Sequence, residues 1–129
     1  MPIVRQLMLF AVVVRQMNVD NILPDLIIKV EAIGVARALS GHRPPLMSLK
    51  GAIGHSLGAA GAVEAVATLG ALQRGEAPPT VGARRIDPEI DADVVLDTPR
   101  VLRGDIGLST SSGFGGINAA VVLQSSSKP

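Results

Sequence analysis

The sequence predicts an α/β fold, a mixed sheet packed on a buried helix rich in alanine and glycine. Three observations lead there. Apolar residues recur at helical spacing in one stretch, while short apolar runs bounded by turn residues read as strands elsewhere. The segment Gly58–Arg74 is so rich in Ala and Gly that it is apolar on nearly every face, the pattern of a helix enclosed by protein. Apolar content comes from Ala, Val, Leu and Ile, with two Phe and no Trp or Tyr, a composition suited to close packing of helix on sheet. At 129 residues, with 47% hydrophobic and 18% charged, the chain is one domain with a real core and not a charge-solvated disordered segment.

The elements follow in order. Leu7–Val14 is an apolar run between Arg5 and Arg15. It is far shorter than the roughly 20 residues of a membrane span. No small-x-small cleavage site follows it, so a buried strand or short helix is expected over a targeting segment, and with it a cytoplasmic location. Pro24 breaks the chain, and helical spacing over Ile27–Leu39 predicts a helix with Gly41 as its C-terminal glycine. Pro44-Pro45 forces an extended path into a strand at Leu46–Leu49. The buried helix over Gly58–Arg74 ends at Gly75 and Pro78-Pro79. Arg84–Glu89 reads as a polar loop, Val94–Leu96 as a strand, and Asp105–Thr110 and Ile117–Gln124 as two strands. These last two should pair antiparallel through the turn Ser111–Gly116. Residues 126–129 read as a disordered tail.

Composition excludes several functions. Twelve Lys+Arg against eleven Asp+Glu leave a net charge of +1, so no global field attracts nucleic acid or an anionic membrane. With no Cys there is no disulfide framework, thiolate metal site or cysteine nucleophile. His42 and His55 are too few for a histidine-built metal site, and no metal or other cofactor is expected. Glycines 51, 54, 58 and 61 do not follow the G-x-G-x-x-G spacing, and Lys50 precedes them, unlike the lysine of a phosphate-binding loop.

Three features remain that can carry chemistry. His55 lies in a glycine-bracketed turn, Gly54-His55-Ser56-Leu57-Gly58, between a strand and a helix. There the helix N-terminus favours a neutral ring acting as an N–H donor, suited to a developing oxyanion. A capping histidine in a packed turn fits the same spacing. Glu64 on so apolar a helix needs a partner, and Lys50 is the candidate, although two unrelated charges reaching solvent satisfy the pattern as well. The run Ser111-Ser112-Gly113-Phe114-Gly115-Gly116-Ile117-Asn118 is either a mobile loop with amides open to a ligand or an ordinary glycine-rich hairpin. Arg84, Arg85, Arg100 and Arg103 read as a solvated face that can also meet an acidic carrier protein.

Ser48 to Glu64, S-L-K-G-A-I-G-H-S-L-G-A-A-G-A-V-E, resembles the S-x-K-x-x-x-G-H-x-x-G-A-A-G-x-x-E signature of β-ketoacyl-acyl-carrier-protein synthases. Pro78-Pro79-Thr80, the Asp87–Val95 run, Gly113-Phe114-Gly115-Gly116 with Asn118, and the helix around Val30–Leu39 are similar to further family motifs in the same order. The resemblance runs from about Lys29 to Gln124 and divides the chain into a divergent segment 1–28 and a ketosynthase C-terminal domain 29–125. It implies the C-terminal half of a thiolase-like fold, incomplete by comparison with the whole. It also implies decarboxylative condensation of a malonyl thioester with an acyl thioester, with acyl carrier protein and the N-terminal half or a dimer mate as partners. His55 would polarise the malonyl carbonyl, Lys50 would order His55 through Glu64, and Phe114 would gate the acyl pocket with its N–H in the oxyanion hole. Asn118 would brace the loop.

The departures are as informative. The family nucleophile is a cysteine in the first half of the protein, and none is present here. The family's first histidine would fall at Asp20, and Thr110, Ser112 and Ile117 replace Asn, Phe and Thr. The resemblance therefore implies that these residues alone are inactive. Thiolase, which shares a G-H-x-x-G turn, is disfavoured because its C-terminal loop carries a cysteine. A non-catalytic partner subunit akin to a chain-length factor is disfavoured by the intact Lys50, His55 and Glu64. A gene remnant is the remaining alternative.

Overall fold

The computed structural model describes residues 7–11, 23–113 and 116–126. Its main sheet has three strands in the order β1-β6-β7, where β1 is Leu7–Ala11, β6 is Ile106–Ser112 and β7 is Asn118–Gln124. β1 runs parallel to β6, with Leu7 opposite Ile106 and Ala11 opposite Thr110. β6 and β7 pair antiparallel from Ile106–Gln124 to Ser112–Asn118, the hairpin expected from the sequence. The apolar run at the N-terminus is thus a strand over Leu7–Ala11, and its residues 12–14 lie outside the described part.

Helix α1 spans Leu23–Ala38 and runs unbroken through residue 28. It begins earlier than the expected Ile27, with Pro24 in its first turn instead of ahead of it. A proline is accommodated there because the first N–H groups of a helix have no internal partner. At the other end the Gly41 N–H reaches back to the Ala36 carbonyl at 2.7 Å, and Gly41 has φ +79°, as its C-terminal position required.

The strand expected at Leu46–Leu49 is cut to β2, Pro45–Leu46, paired parallel with β4, Asp93–Val94. The reason is side-chain competition for the backbone. The Ser48 N–H donates to Thr80 Oγ1 at 3.2 Å, and the Lys50 N–H donates to Ser48 Oγ at 3.3 Å, which turns the chain into a short helix α2, Lys50–Ile53. Thr80 is itself held by its N–H on the Val95 carbonyl at 2.8 Å. The Pro-Pro-Thr segment therefore fixes the approach to Lys50.

The Ala/Gly-rich helix opens with a 3-10 turn, Leu57–Ala59, and continues as α3, Ala60–Arg74. The left-handed Gly75, φ +68°, closes it and leads into β3, Glu76–Ala77, antiparallel to β5, Arg100–Val101. Enclosure on all faces is not what the structure shows. Glu64, Thr68, Ala71 and Leu72 are buried, whereas Val66 on the opposite side is 70% exposed. The apolar pattern specified that α3 tolerates burial all round, but the described residues cover one face.

Two helices sandwich the hairpin strand β6. Leu108 packs against Leu46, as do Val35 of α1 and Val94 of β4. Gly107 faces α3, where a Cβ would lie 2.6 Å from Thr68 Cγ2 and 3.2 Å from Leu72 Cδ1. The larger core cluster, Met47, Ala71, Leu72, Ala77, Val95 and Leu102, lies beneath α3. Gly107→Ala should lower stability by about 1–3 kcal/mol through this overpacking. Adding Thr68→Ser, which removes the offending methyl, should recover part of the loss in urea midpoints; a lack of recovery would show that the clash is relieved elsewhere.

Candidate active site

The site draws its charged residues from three helices. α2 carries Lys50, the buried face of α3 carries Glu64, and the middle of α1 carries Glu31. Lys50 Nζ donates to Glu64 Oε1 at 2.9 Å, with 6% and 4% of the two side chains exposed. This is the ion pair anticipated from the sequence, and its burial sets it apart from surface pairs such as Arg43–Asp91 and Arg100–Asp93. Thr68 Oγ1 donates to the Glu64 carbonyl oxygen at 2.7 Å and anchors the turn of α3 behind it.

Glu31 belongs to the same cluster, although sequence reading gave it no role. Its Oε1 accepts the Thr110 hydroxyl, and it senses Lys50 and Glu64 electrostatically. The signal was available: Glu31 lies in an apolar helical run, V-E-A-I-G-V, the same argument that singled out Glu64. Glu31 Oε2 and Glu64 Oε2 are both buried without a hydrogen-bond partner among the described residues. Burial pushes the Glu31 carboxyl above the usual carboxylate range, against the lowering effects of the Thr110 hydrogen bond and the Lys50 charge. The folded protein therefore holds this proton more tightly than the unfolded chain does. Its stabilising contribution is complete below the ordinary carboxylate pKa and is lost as pH rises through the raised value. Glu31→Gln should flatten this fall in denaturation curves measured across mildly acidic to neutral pH. An unchanged slope would mean that another group causes it.

His55 follows Gly54, whose φ of +73° turns the chain out of α2. On the far side the left-handed residue is Leu57, with φ +51°, and not the neighbouring Gly58. This conformation costs a non-glycine residue about 1–2 kcal/mol. The Leu57 N–H donates to His55 Nδ1, 3.0 Å away. An Nδ1 that accepts a hydrogen bond leaves the ring hydrogen of a neutral imidazole on Nε2. The ring is exposed. His55 thus caps the turn through one nitrogen and can donate through the other, so the two readings of this residue describe one arrangement.

The hairpin loop lies at the same end of the sheet. A Cβ on Gly61, six residues after His55, would meet Ser111 Oγ at 3.4 Å, which sets the start of α3 against the end of β6. The Gly113 N–H donates to the Ile117 carbonyl at 2.7 Å, Gly116 has φ +82°, and Asn118 Nδ2 donates to the Gly116 carbonyl at 3.4 Å. Phe114 and Gly115 lie outside the described residues, as does Asp20.

His55 hydrogen-bonded through Nδ1, the buried Lys50–Glu64 pair and the glycine-rich β6–β7 hairpin thus sit on a small mixed α/β frame. Comparison with known proteins identifies that frame. Residues 27–84 match the family profile described as "Beta-ketoacyl synthase, C-terminal domain". A "3-oxoacyl-[acyl-carrier-protein] synthase 2" of Mycobacterium tuberculosis is 44% identical over 93 residues, 72% of this chain and 22% of that protein. The crystal structure of a β-ketoacyl synthase from Burkholderia phymatum superposes with a TM-score of 0.75 at 26% identity, covering 95% of this chain and 28% of the other. A structure titled as a type II PKS acyl-carrier protein in complex with its ketosynthase gives a TM-score of 0.69 at 30% identity, covering 75% and 24%. The chain belongs to the β-ketoacyl synthase family as a counterpart of its C-terminal domain, and it spans about a quarter of the length of these relatives.

Proposed function

We propose that this chain supplies the C-terminal part of the active site of a synthase that condenses malonyl-carrier protein with an acyl thioester in fatty acid or polyketide synthesis. The observation that carries the reading is the His55 tautomer. With Nδ1 occupied by the Leu57 N–H, the Nε2 hydrogen is available to an oxygen, in the turn that follows the helix carrying Lys50 of the buried Lys50–Glu64 pair.

In the reaction the acyl group is held as a thioester on a cysteine thiolate. The malonyl group loses CO2, and the electron pair of the broken C–C bond passes into an enolate whose oxygen His55 Nε2–H stabilises. The enolate carbon then attacks the acyl carbonyl and the thiolate departs. Lys50 and Glu64 brace the base of the His55 turn. By the family resemblance Phe114 would gate the acyl side and its N–H would serve the oxyanion, while Asn118, donating to the Gly116 carbonyl, steadies the loop. Acyl carrier protein is the partner that delivers both thioesters.

With no cysteine in these 129 residues, covalent capture of the acyl group must come from the part of a ketosynthase not present here. The uncovered apolar residues Val63 and Val66 of α3, with Val121 and Val122 of β7, suit that part as a cover. The test is to incubate the chain with acyl- and malonyl-carrier protein, alone and co-assembled with the N-terminal portion of a related synthase. Alone, neither β-ketoacyl product nor an acyl adduct is expected. Co-assembled, product should form and fall about 10²–10³-fold in His55→Ala, the scale of one lost oxyanion donor. An acyl adduct on the isolated chain, or full activity of the co-assembled His55→Ala protein, overturns the reading.

A further inference from the structure

The end of β6 is gripped from both faces, and the grip on the α1 side is peculiar to a residue that departs from the family pattern. Side chains alternate along a strand. Ser111 lies against Gly61 at the start of α3, and Thr110 points to the opposite face, where its hydroxyl donates to Glu31 Oε1. Three residues beyond Thr110, the Gly113 N–H closes the glycine loop on the Ile117 carbonyl at 2.7 Å. Glu31 in turn faces the charge of Lys50 on α2 and that of Glu64 on α3. A continuous line of polar contacts and charges therefore joins the base of the His55 turn to the base of the loop.

We propose that Thr110 and Glu31 are positioning residues, a hydrogen-bonded tie that anchors the end of β6 and Gly113, at the foot of the hairpin loop, to the buried Lys50–Glu64 pair. Its consequence for catalysis rests on the proposed function of the loop. The tie itself does not, because it can be read in the isolated chain. A hydroxyl-to-carboxylate bond is stronger than a neutral one, so the loop is held more firmly when Glu31 is ionised. Ionisation of Glu31 is favoured by Lys50 and by the Thr110 hydroxyl and opposed by its burial and by Glu64.

The experiment is NMR on the purified chain and two variants, following hydrogen exchange at the Gly113 amide and the pH titration of the Glu31 carboxyl carbon. The Leu102 amide, bonded to the Gly75 carbonyl at 2.8 Å in a distant part of the fold, serves as control. Thr110→Val, which keeps the shape and deletes the hydroxyl, should speed Gly113 exchange about tenfold or more, as expected for losing a bond to a charged acceptor. It should also raise the Glu31 titration midpoint and leave Leu102 unchanged. Thr110→Ser, which restores the hydroxyl, should return both readouts to wild type. Should Thr110→Val unfold the chain, the wild type alone decides, because Gly113 protection, corrected for intrinsic exchange, must then rise relative to that of Leu102 as Glu31 ionises. Wild-type Gly113 exchange in Thr110→Val, no rescue by Thr110→Ser, or Gly113 protection that ignores the Glu31 titration each overturns the proposal. None of these readouts involves condensation, so a failure of the proposed enzyme function is a separate result.

Discussion

Lys50→Met should destabilise the chain by about 3–5 kcal/mol, the usual cost of removing one partner of a buried ion pair. The size follows from what stays behind. Lys50 Nζ is 2.9 Å from Glu64 Oε1, and its charge also favours ionisation of Glu31. Without the lysine two carboxyl groups face each other with no cation, and each already has one oxygen without a partner. Glu64→Gln should cost less, about 1–3 kcal/mol, since Glu31 remains as a counter-charge for Lys50 and the amide oxygen can still accept. The double variant should lose less than the sum of the two, because only Glu31 then remains and burial lets it stay protonated. Denaturant unfolding of the four proteins checks the order. Equal losses for the two single variants would mean that Glu31 carries no share of the pair. In Lys50→Met the Glu31 carboxyl should titrate still higher than in the wild type, since one of the forces lowering it is gone.

Gly51→Ala should be as damaging, for a steric reason. A Cβ at Gly51 would lie 1.7 Å from the Val81 carbonyl oxygen and 2.7 Å from its carbon. Both are backbone atoms, so no rotamer change relieves the contact. Either the segment around Thr80 and Val81 or helix α2 must move. Either movement strains the Ser48–Thr80 hydrogen bond, 3.2 Å, that sets the direction of Lys50. A loss at or above the upper end of the roughly 1–3 kcal/mol typical of overpacking is expected. Gly58→Ala is the control, because nothing lies within 4 Å of a Cβ there and no left-handed φ is required. Comparable urea midpoints for the two variants would show that the Val81 loop yields freely.

Much of the fold was legible because its signals are local. Gly41 and Gly75 close their helices with positive φ as their positions after apolar periodic runs required. The β6–β7 hairpin declared itself through two apolar runs around a glycine-rich turn. Local signals failed where side chains redirected the backbone. One hydrogen bond joins Ser48 to Thr80 across 32 residues, and with the Lys50 N–H bond to Ser48 Oγ it converted an expected four-residue strand into two strand residues and a helical turn. In the His55 turn the left-handed residue is Leu57, with φ +51°, although glycine is the residue that sequence logic assigns to such a conformation.

The sequence by itself determined the α/β class, the order of most elements, the family motifs, and the candidacy of Lys50, His55 and Glu64. These rest on periodicity, on the cost of a lone charge in an apolar helix, and on spacing within one segment. The tertiary structure alone decided that Glu31 and Thr110, 79 residues apart, meet beside that pair, and that α3 is covered on one face only. It also decided which nitrogen of His55 holds the hydrogen. The physical reason is common to all three. Packing partners and hydrogen-bond partners depend on what the fold brings within reach, and a linear pattern does not carry that distance.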